Sequence, residues 1–391
     1  MKIFLVCIAA TATGVFSALL CVNATGASSA PTQPTTPVTA PTGRPEPVLI
    51  AFVYRDAPTD SAWTQSHELA RKAVDAEFGA RAHTIAVERI SSSADADRAF
   101  RDLAARGYKV IFATDPIHSV AATKMATADY HVKIEQAMGT QELINLRVYA
   151  IRHFEQAYLA GIIAAGNSAT LRLGFVAAAA TPGAFAEINA FTLGAQSVDK
   201  RSTTQVMWVG SQSDAVTEAS AAETLIKRGV DVLIATTDSG AVAKVAERRR
   251  KRVIGWHTDR SAAAPRAHVA TVALDWAPFY KTAVRESFDY LCTKTDTSRG
   301  YREGAIKVIG LSKSISNAAK IRLERVQNEL GRGEFQVFTG PIYSGANTVM
   351  LADKMIADDS WRKSISFLVR GATVVVAPGP DQRAVARSER R

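Results

Sequence analysis

Apolar residues along this chain fall into two alternating patterns. Short runs with little polar interruption, such as Val48–Val53, Val110–Ala113 and Val230–Ala235, each end at a polar tip. Between them lie longer alanine-rich stretches of helical composition, Asp97–Arg106 and Glu218–Arg228 among them. Two segments, 122 residues apart, carry the pattern most fully: Arg106-Gly-Tyr-Lys-Val-Ile-Phe-Ala-Thr-Asp115 and Arg228-Gly-Val-Asp-Val-Leu-Ile-Ala-Thr-Thr-Asp-Ser239. In both, a helix runs into Gly, which enters the left-handed conformation without a Cβ clash. The apolar run that follows does not alternate, as expected of a strand buried on both faces of a parallel sheet. A recurrence at this distance predicts two similar α/β lobes rather than a short-period solenoid.

Further strands are predicted at Thr84–Arg89, Val132–Glu135, Leu171–Ala177, Gln205–Val209, Val253–Asp259 with its tip, Thr271–Trp276 and Ala305–Leu311, with helices between them. Phe338–Tyr343 is expected to end the core sheet. The fold class expected is α/β: two Rossmann-like lobes, each a parallel sheet with helices on both faces, and a ligand cleft between them. Residues 48–151 make the N-terminal lobe, to which 275–296 return. Residues 152–274 make the C-terminal lobe, with 303–378 contributing to it and to the hinge. Ligands of parallel sheets bind beyond the carboxyl ends of the strands, so the polar tips are where chemistry is sought.

The flanks read differently. Residues 1–24 open with Lys2, run apolar from Ile3 to Cys21 and reach Val22-Asn23-Ala24, the layout of a secretory signal peptide. The same run read as a retained anchor would lack stop-transfer charges. Leu20 stands before Cys21, where lipoprotein processing needs a small residue. A periplasmic protein is therefore expected. Residues 25–47, rich in Pro and Thr, cannot bury enough surface to offset ordering and read as a disordered spacer; residues 379–391 read as a basic disordered tail.

The net charge is +10, part of it in Arg248–Arg252 and the tail. No aromatic-basic motif accompanies it, so no nucleic-acid partner is expected. Cys7 and Cys21 fall in the leader, leaving Cys292 alone as a buried helix residue rather than a nucleophile.

Enzyme signatures are missing. The sequence has no Gly-x-x-x-x-Gly-Lys-Ser/Thr loop, no Gly-x-Ser-x-Gly elbow and no His-Glu-x-x-His pair. Its seven histidines have no metal-ligand spacing, and His257, on a strand tip, has no visible nucleophile beside it. No cofactor, metal or catalytic residue is expected. What the tips do hold is indoles and acids: Asp60, Trp63, Asp115, Asp214, Asp238, Ser239, Trp256, Asp259, Asp275 and Trp276. Flat rings stack and carboxylates accept from hydroxyl and amino groups, which suits a neutral flat solute such as a base or nucleoside and suits a phosphate badly. Each acid taken alone also fits a helix N-cap, and Trp63 alone also fits the top of a core.

At these residues the chain resembles the basic-membrane-protein (BMP) family of ABC-importer substrate-binding proteins, which are two-lobed type I periplasmic binding proteins, several of them binding purines or purine nucleosides. The likeness runs from about Val48 to Pro378. It rests on Asp60-Ser-Ala-Trp63, Arg147-Val-Tyr-Ala through Tyr158-Leu-Ala-Gly161, Asn189–Ala195, Thr237-Asp-Ser239, Gly255-Trp-His-Thr-Asp259 and Phe338–Ile342. The resemblance implies that Trp63 is a stacking aromatic, that Asp60 lies close to a ring-binding acid and that Asp259 is a ligand-bonding acid, with Trp256 and Trp276 matching further aromatics. The chain departs from the family at His257, where an acid is usual, at Gln212-Ser213, where an aromatic precedes Asp214, and at Arg248–Arg252. The function expected is that of a monomeric extracytoplasmic binding protein. It would close on a small solute, a purine base or nucleoside, and hand it to an ABC permease. The alternatives are a clamshell that reports ligand state to a separate signalling partner and a family member with a changed ligand.

Overall fold

Strand β1 (Val48–Val53) shows how the pattern becomes a layered structure. Ile50 and Phe52, followed by Tyr54, enter one core, while Ala51 and Val53 enter another on the opposite face. A strand buried on both sides has no polar face to alternate with, hence the unbroken apolar run. The structure is a computed structural model and describes residues 46–289 and 297–376. The predicted signal peptide, nearly all of the spacer, Cys292 and the basic tail lie outside the described residues.

Helix α1 (Ala62–Phe78), β2 (Ala82–Val87), α2 (Ser93–Ala105), β3 (Val110–Ala113), α3 (Ser119–Ala128), β4 (Lys133–Ala137) and β5 (Leu146–Ile151) build the first lobe. Helix α4 (His153–Asn167) leads to β6 (Arg172–Ala177), α5 (Pro182–Gln196), β7 (Thr203–Trp208), α6 (Ala215–Lys227), β8 (Val232–Ala235), α7 (Ala241–Arg249), β9 (Arg252–His257) and β10 (His268–Leu274). There follow α8 (Ala277–Phe288), β11 (Ser298–Arg299), β12 (Ile306–Ile309), α9 (Asn317–Arg332), β13 (Ile342–Tyr343), β14 (Val349–Leu351), α10 (Asp359–Lys363) and β15 (Ala372–Val374).

The first sheet has the order β11-β5-β4-β3-β1-β2 and is parallel throughout. The second has the order β12-β10-β9-β8-β6-β7-β15, with only β12 antiparallel. Each therefore contains the doubly wound order second-first-third-fourth-fifth, which binds ligands where the strand order reverses. The two Arg-Gly segments supply β3 and β8, the equivalent third strands, and Gly107 and Gly229 both take positive φ, 86° and 90°. Among the described residues the chain passes between the sheets three times, after β5, after β10 and after β11.

Helices α2 and α3 cover the outer face of the first sheet, and α6 and α7 that of the second. One continuous core joins the remaining faces: Phe52, Phe112, Tyr149 and Tyr280 of the first lobe are in the same cluster as Leu159, Phe175 and Phe191 of the second. Helices α4 and α5 cross closely there. A Cβ on Gly161 would lie 2.0 Å from the Phe191 carbonyl oxygen, and one on Gly194 would lie 2.1 Å from that of Tyr158.

One expectation is corrected. Phe338–Tyr343 does not end the core sheet: Ile342–Tyr343 pairs with Val349–Leu351 in a separate hairpin. The sheet is instead extended by Ala372–Val374 alongside β7. No helix among the described residues is long and apolar enough to cross a membrane.

Candidate functional site

The site is organised by the first turn of α1. Ser61 is extended (φ −128°, ψ 130°) and its Oγ accepts from Thr64 N at 3.2 Å, an N-cap that starts the helix just past the β1 tip. Trp63 thereby falls in the first turn, beyond the carboxyl end of β1. Its Nε1 donates to the carbonyl of Thr114 at 2.8 Å, tying the indole to the β3 tip. Around the half-buried Trp63 ring stand His67 at 4.7 Å, Trp276 at 5.4 Å, His257 at 5.5 Å and His153 at 5.9 Å between centroids. All four are edge-on or tilted to it, at 46° to 83°, and none lies parallel.

The rings come from both lobes. His67 lies one turn further along α1; His257 ends β9, with positive φ of 65°; His153 opens α4. Gln156 fixes the junction, donating from Nε2 to the Val272 carbonyl at 2.6 Å while its Oε1 lies 3.2 Å from His153 Nδ1. Direct bonds also cross between the lobes. Asp238 Oδ1, just past the β8 tip, accepts from Ala62 N at 3.1 Å, and Thr258 Oγ1 donates to Gln65 Oε1 at 2.8 Å. Arg260 Nη1 donates to the Asp238 carbonyl at 2.8 Å.

Burial controls the charge here. It drives the imidazoles of His67 and His257 well below the usual histidine range and lowers that of His153 to about 4, so all three are neutral at physiological pH. The proximity of His153, His67 and Arg260 pushes His257 further the same way. Burial raises the Asp238 carboxyl, opposed by Arg260 and by the N–H groups of the α1 first turn. Several buried polar atoms on or next to the strand tips have no partner within the protein: Thr64 Oγ1, His67 Nε2, Gln136 Oε1, Thr237 Oγ1 and Glu218 Oε2. Buried polar groups are almost always satisfied, so these atoms retain hydrogen-bonding capacity that the protein itself does not use. Among the described residues no grouping of His, Cys, Asp and Glu is arranged to hold a metal ion.

The residues singled out from sequence separate into groups. Trp63, Trp256, Trp276 and Asp238 come together around the junction. Trp276 is fully buried beneath it, stacked on His67 at 4.7 Å and 12°, with Nε1 donating to Ser66 Oγ at 2.9 Å. Trp256 is buried on β9 against His257. The remaining acids other than Asp60 satisfy local backbone. Asp115 Oδ1 accepts from Ile117 N, Asp259 Oδ1 from Ser261 N, and Asp214 Oδ1 from Val216 N and Thr217 N at the start of α6. Asp60 is exposed and paired with Arg89 at 3.1 Å. Ser239 Oγ accepts from Ala241 N ahead of α7.

The model of the PnrA-like ABC transporter substrate-binding proteins (Bmp) matches residues 48–337. The chain belongs to that family. It is 31% identical to a purine-binding protein of Brucella abortus over 326 residues, covering 83% of this chain and 93% of the relative. It is 28% identical over 79% of both chains to a Haloferax volcanii protein assigned by name as an ABC transporter glucose-binding protein. Among solved structures, an ABC transporter solute-binding protein of Conexibacter woesei superposes with a TM-score of 0.63 at 18% identity, over 74% of this chain and 98% of the other. A transcriptional activator of the comK gene from Bacillus halodurans superposes with a TM-score of 0.65 at 16% identity, over 73% and 99%. These two superpositions show the shared fold.

As a Bmp substrate-binding protein the chain is a binder of small molecules for an ABC transporter and not an enzyme. Sequence reading missed much of the junction of this Bmp protein: His67, His153, Gln65, Gln156, Thr258 and Arg260. The spacing Trp63-x-x-x-His67 was the one available signal, since residues four apart share a helix face. His153 and Gln156 meet each other three residues apart on α4, but Gln156, Gln65, Thr258 and Arg260 reach the junction through partners distant in the chain.

Proposed function

We propose that this protein binds a neutral, flat solute, a purine base or nucleoside, between its two lobes and delivers it to an ABC permease. The observation that carries this reading is Trp63: a half-buried indole held by Thr114, surrounded by rings from both lobes, with none of them stacked parallel to it. A planar solute fits such a ring, since offset stacking is a favoured aromatic geometry. The neutral histidines present no charge to an uncharged base, and the unpartnered polar atoms on both lobes supply hydrogen bonds. The name of the Brucella abortus relative agrees with a purine. Function then follows from closure: a solute that touches both lobes favours the closed arrangement by its differential affinity for it.

Isothermal titration of the purified protein with adenosine, guanosine, hypoxanthine and D-glucose tests the reading. Binding of at least one purine compound is expected, and Trp63→Ala is expected to weaken it at least tenfold, about 1.4 kcal/mol, with the fold retained by circular dichroism. Glucose binding without purine binding would move the ligand class to sugars, as the name of the Haloferax volcanii relative suggests. Stimulation of the cognate permease's ATPase by the solute-loaded protein tests delivery.

A further inference from the structure

Asp238 is buried, at 8% exposure, and its carboxylate does not cap its own lobe. It reaches the first turn of α1 in the opposite lobe, accepting from Ala62 N at 3.1 Å, where Trp63 N and the Ser61 side chain also favour its charged form. A carboxylate at a helix N-terminus is favoured by the free N–H groups and by the helix dipole. Arg260 supports it from the same lobe, donating to the Asp238 carbonyl while standing within electrostatic range of Asp60, Asp238 and Glu218. Thr258 and Gln65 add a second bond on the same side of the junction. Every atom in these bonds belongs to the protein, so none of them requires a solute as a partner.

We propose that Asp238 is a positioning residue: a latch that caps the α1 helix of the opposite lobe, holds the lobes together without solute and sets Trp63 in place. The inference rests on the substrate-binding role, not on the solute being a purine. It assigns Asp238 a partner in the protein where a direct ligand contact was the earlier expectation. The affinity for any solute then depends on how much of the free protein is already closed.

Ala62 gives a way to separate the two roles. It is the first residue of α1, a position where proline is well tolerated because that N–H has no intrahelical partner. Ser61 before it already has the extended backbone that a following proline requires. Ala62→Pro removes the donor and leaves the Asp238 carboxylate intact, whereas Asp238→Ala removes the acceptor.

The test places spin-labelled non-canonical residues at positions 120 and 216, exposed sites on α3 and α6, and measures their distance distribution by double electron–electron resonance without solute. Both Ala62→Pro and Asp238→Ala are expected to shift the distribution to longer distances, a tenfold or greater fall in the closed-to-open ratio. Both are also expected to weaken adenosine binding, by the factor by which the closed fraction of the free protein falls. If Asp238→Ala weakens adenosine while Ala62→Pro leaves distance and affinity at wild-type values, Asp238 contacts the solute and the latch is overturned. If the wild type ignores adenosine but Ala62→Pro still opens the free protein, the latch stands and the purine reading fails. If Asp238→Ala does not fold, Ala62→Pro alone decides, by the same distance measurement.

Discussion

Asp115 and Asp238 end the same sentence written twice, and the fold gives them different partners. Each follows the third strand of its sheet, and each is 8% exposed. Asp115 stays at home: its carboxylate accepts from Ile117 N, and its carbonyl receives Gln136 Nε2 at 2.9 Å from the neighbouring strand of the same lobe. Asp238 leaves home and caps a helix in the other lobe. The repeat thus fixes where a residue sits on a sheet and leaves open what it faces. The facing partner comes from how the lobes meet, where the pseudo-symmetry no longer holds.

The symmetric half of this comparison can be broken at the two turn glycines. Gly107 and Gly229 have φ of 86° and 90°, where a Cβ is strained in either lobe. Gly107→Ala and Gly229→Ala should each cost about 1–2 kcal/mol of stability, read by urea unfolding. A Cβ at Gly229 would lie 3.0 Å from Arg172 Nη1, the movable end of a long side chain, so the two losses should be close. A large difference between them would mean that the two turns are not equivalent in energy despite their shared backbone.

That turn was legible in the sequence because it is local: an Arg-Gly pair followed by an unbroken apolar run describes a helix stop and a two-sided strand with no help from distant residues. Trp63 was legible for the same reason, since Ser61 starts the helix just two residues earlier. The latch was not. Its bond joins residues 176 apart in sequence and ends on a backbone N–H, which carries no side-chain signature. The three histidines around Trp63 likewise come from α1, α4 and β9, and no linear spacing links them. Phe338–Tyr343 misled because its apolar residues fill the core from outside the sheet, Phe338 from a loop and Ile342 from a hairpin, so burial alone did not mean membership of the sheet.

Acid should sharpen the contrast between the tips. His118 lies three residues past Asp115, and His257 lies at the β9 tip beside Trp63. Burial lowers both imidazoles, but the Ile90 carbonyl and Asp115 pull His118 back up, whereas His153, His67 and Arg260 push His257 further down. A histidine held neutral in the fold and free to protonate when unfolded gives stability that is complete above about pH 6.5. That stability is lost as pH falls from there toward the folded-state value, because the unfolded state then binds more protons. The window is longer for His257. Thermal melting at pH 7 and pH 5 should therefore show that His257→Asn, which suits its positive φ, flattens the acid loss more than His118→Asn does. An equal flattening would mean that the cross-lobe cluster adds nothing to the burial of a single ring.

The smallest effect belongs to the tip that stays at home. Removing the Asp115 carboxylate takes away a single bond to Ile117 N, and Asp115→Ala should cost about 1 kcal/mol of stability, as loss of a helix cap does. It should leave the inter-lobe distance of the free protein unchanged, because every described partner of Asp115 lies in its own lobe. Solute affinity is the informative readout. Affinity at the wild-type level would assign Asp115 to the scaffold and leave Asp238 as the one member of the repeated pair that serves closure. A tenfold loss with the lobes still closed would place Asp115 on the solute itself, and the repeat would then have furnished one carboxylate for the ligand and one for the latch.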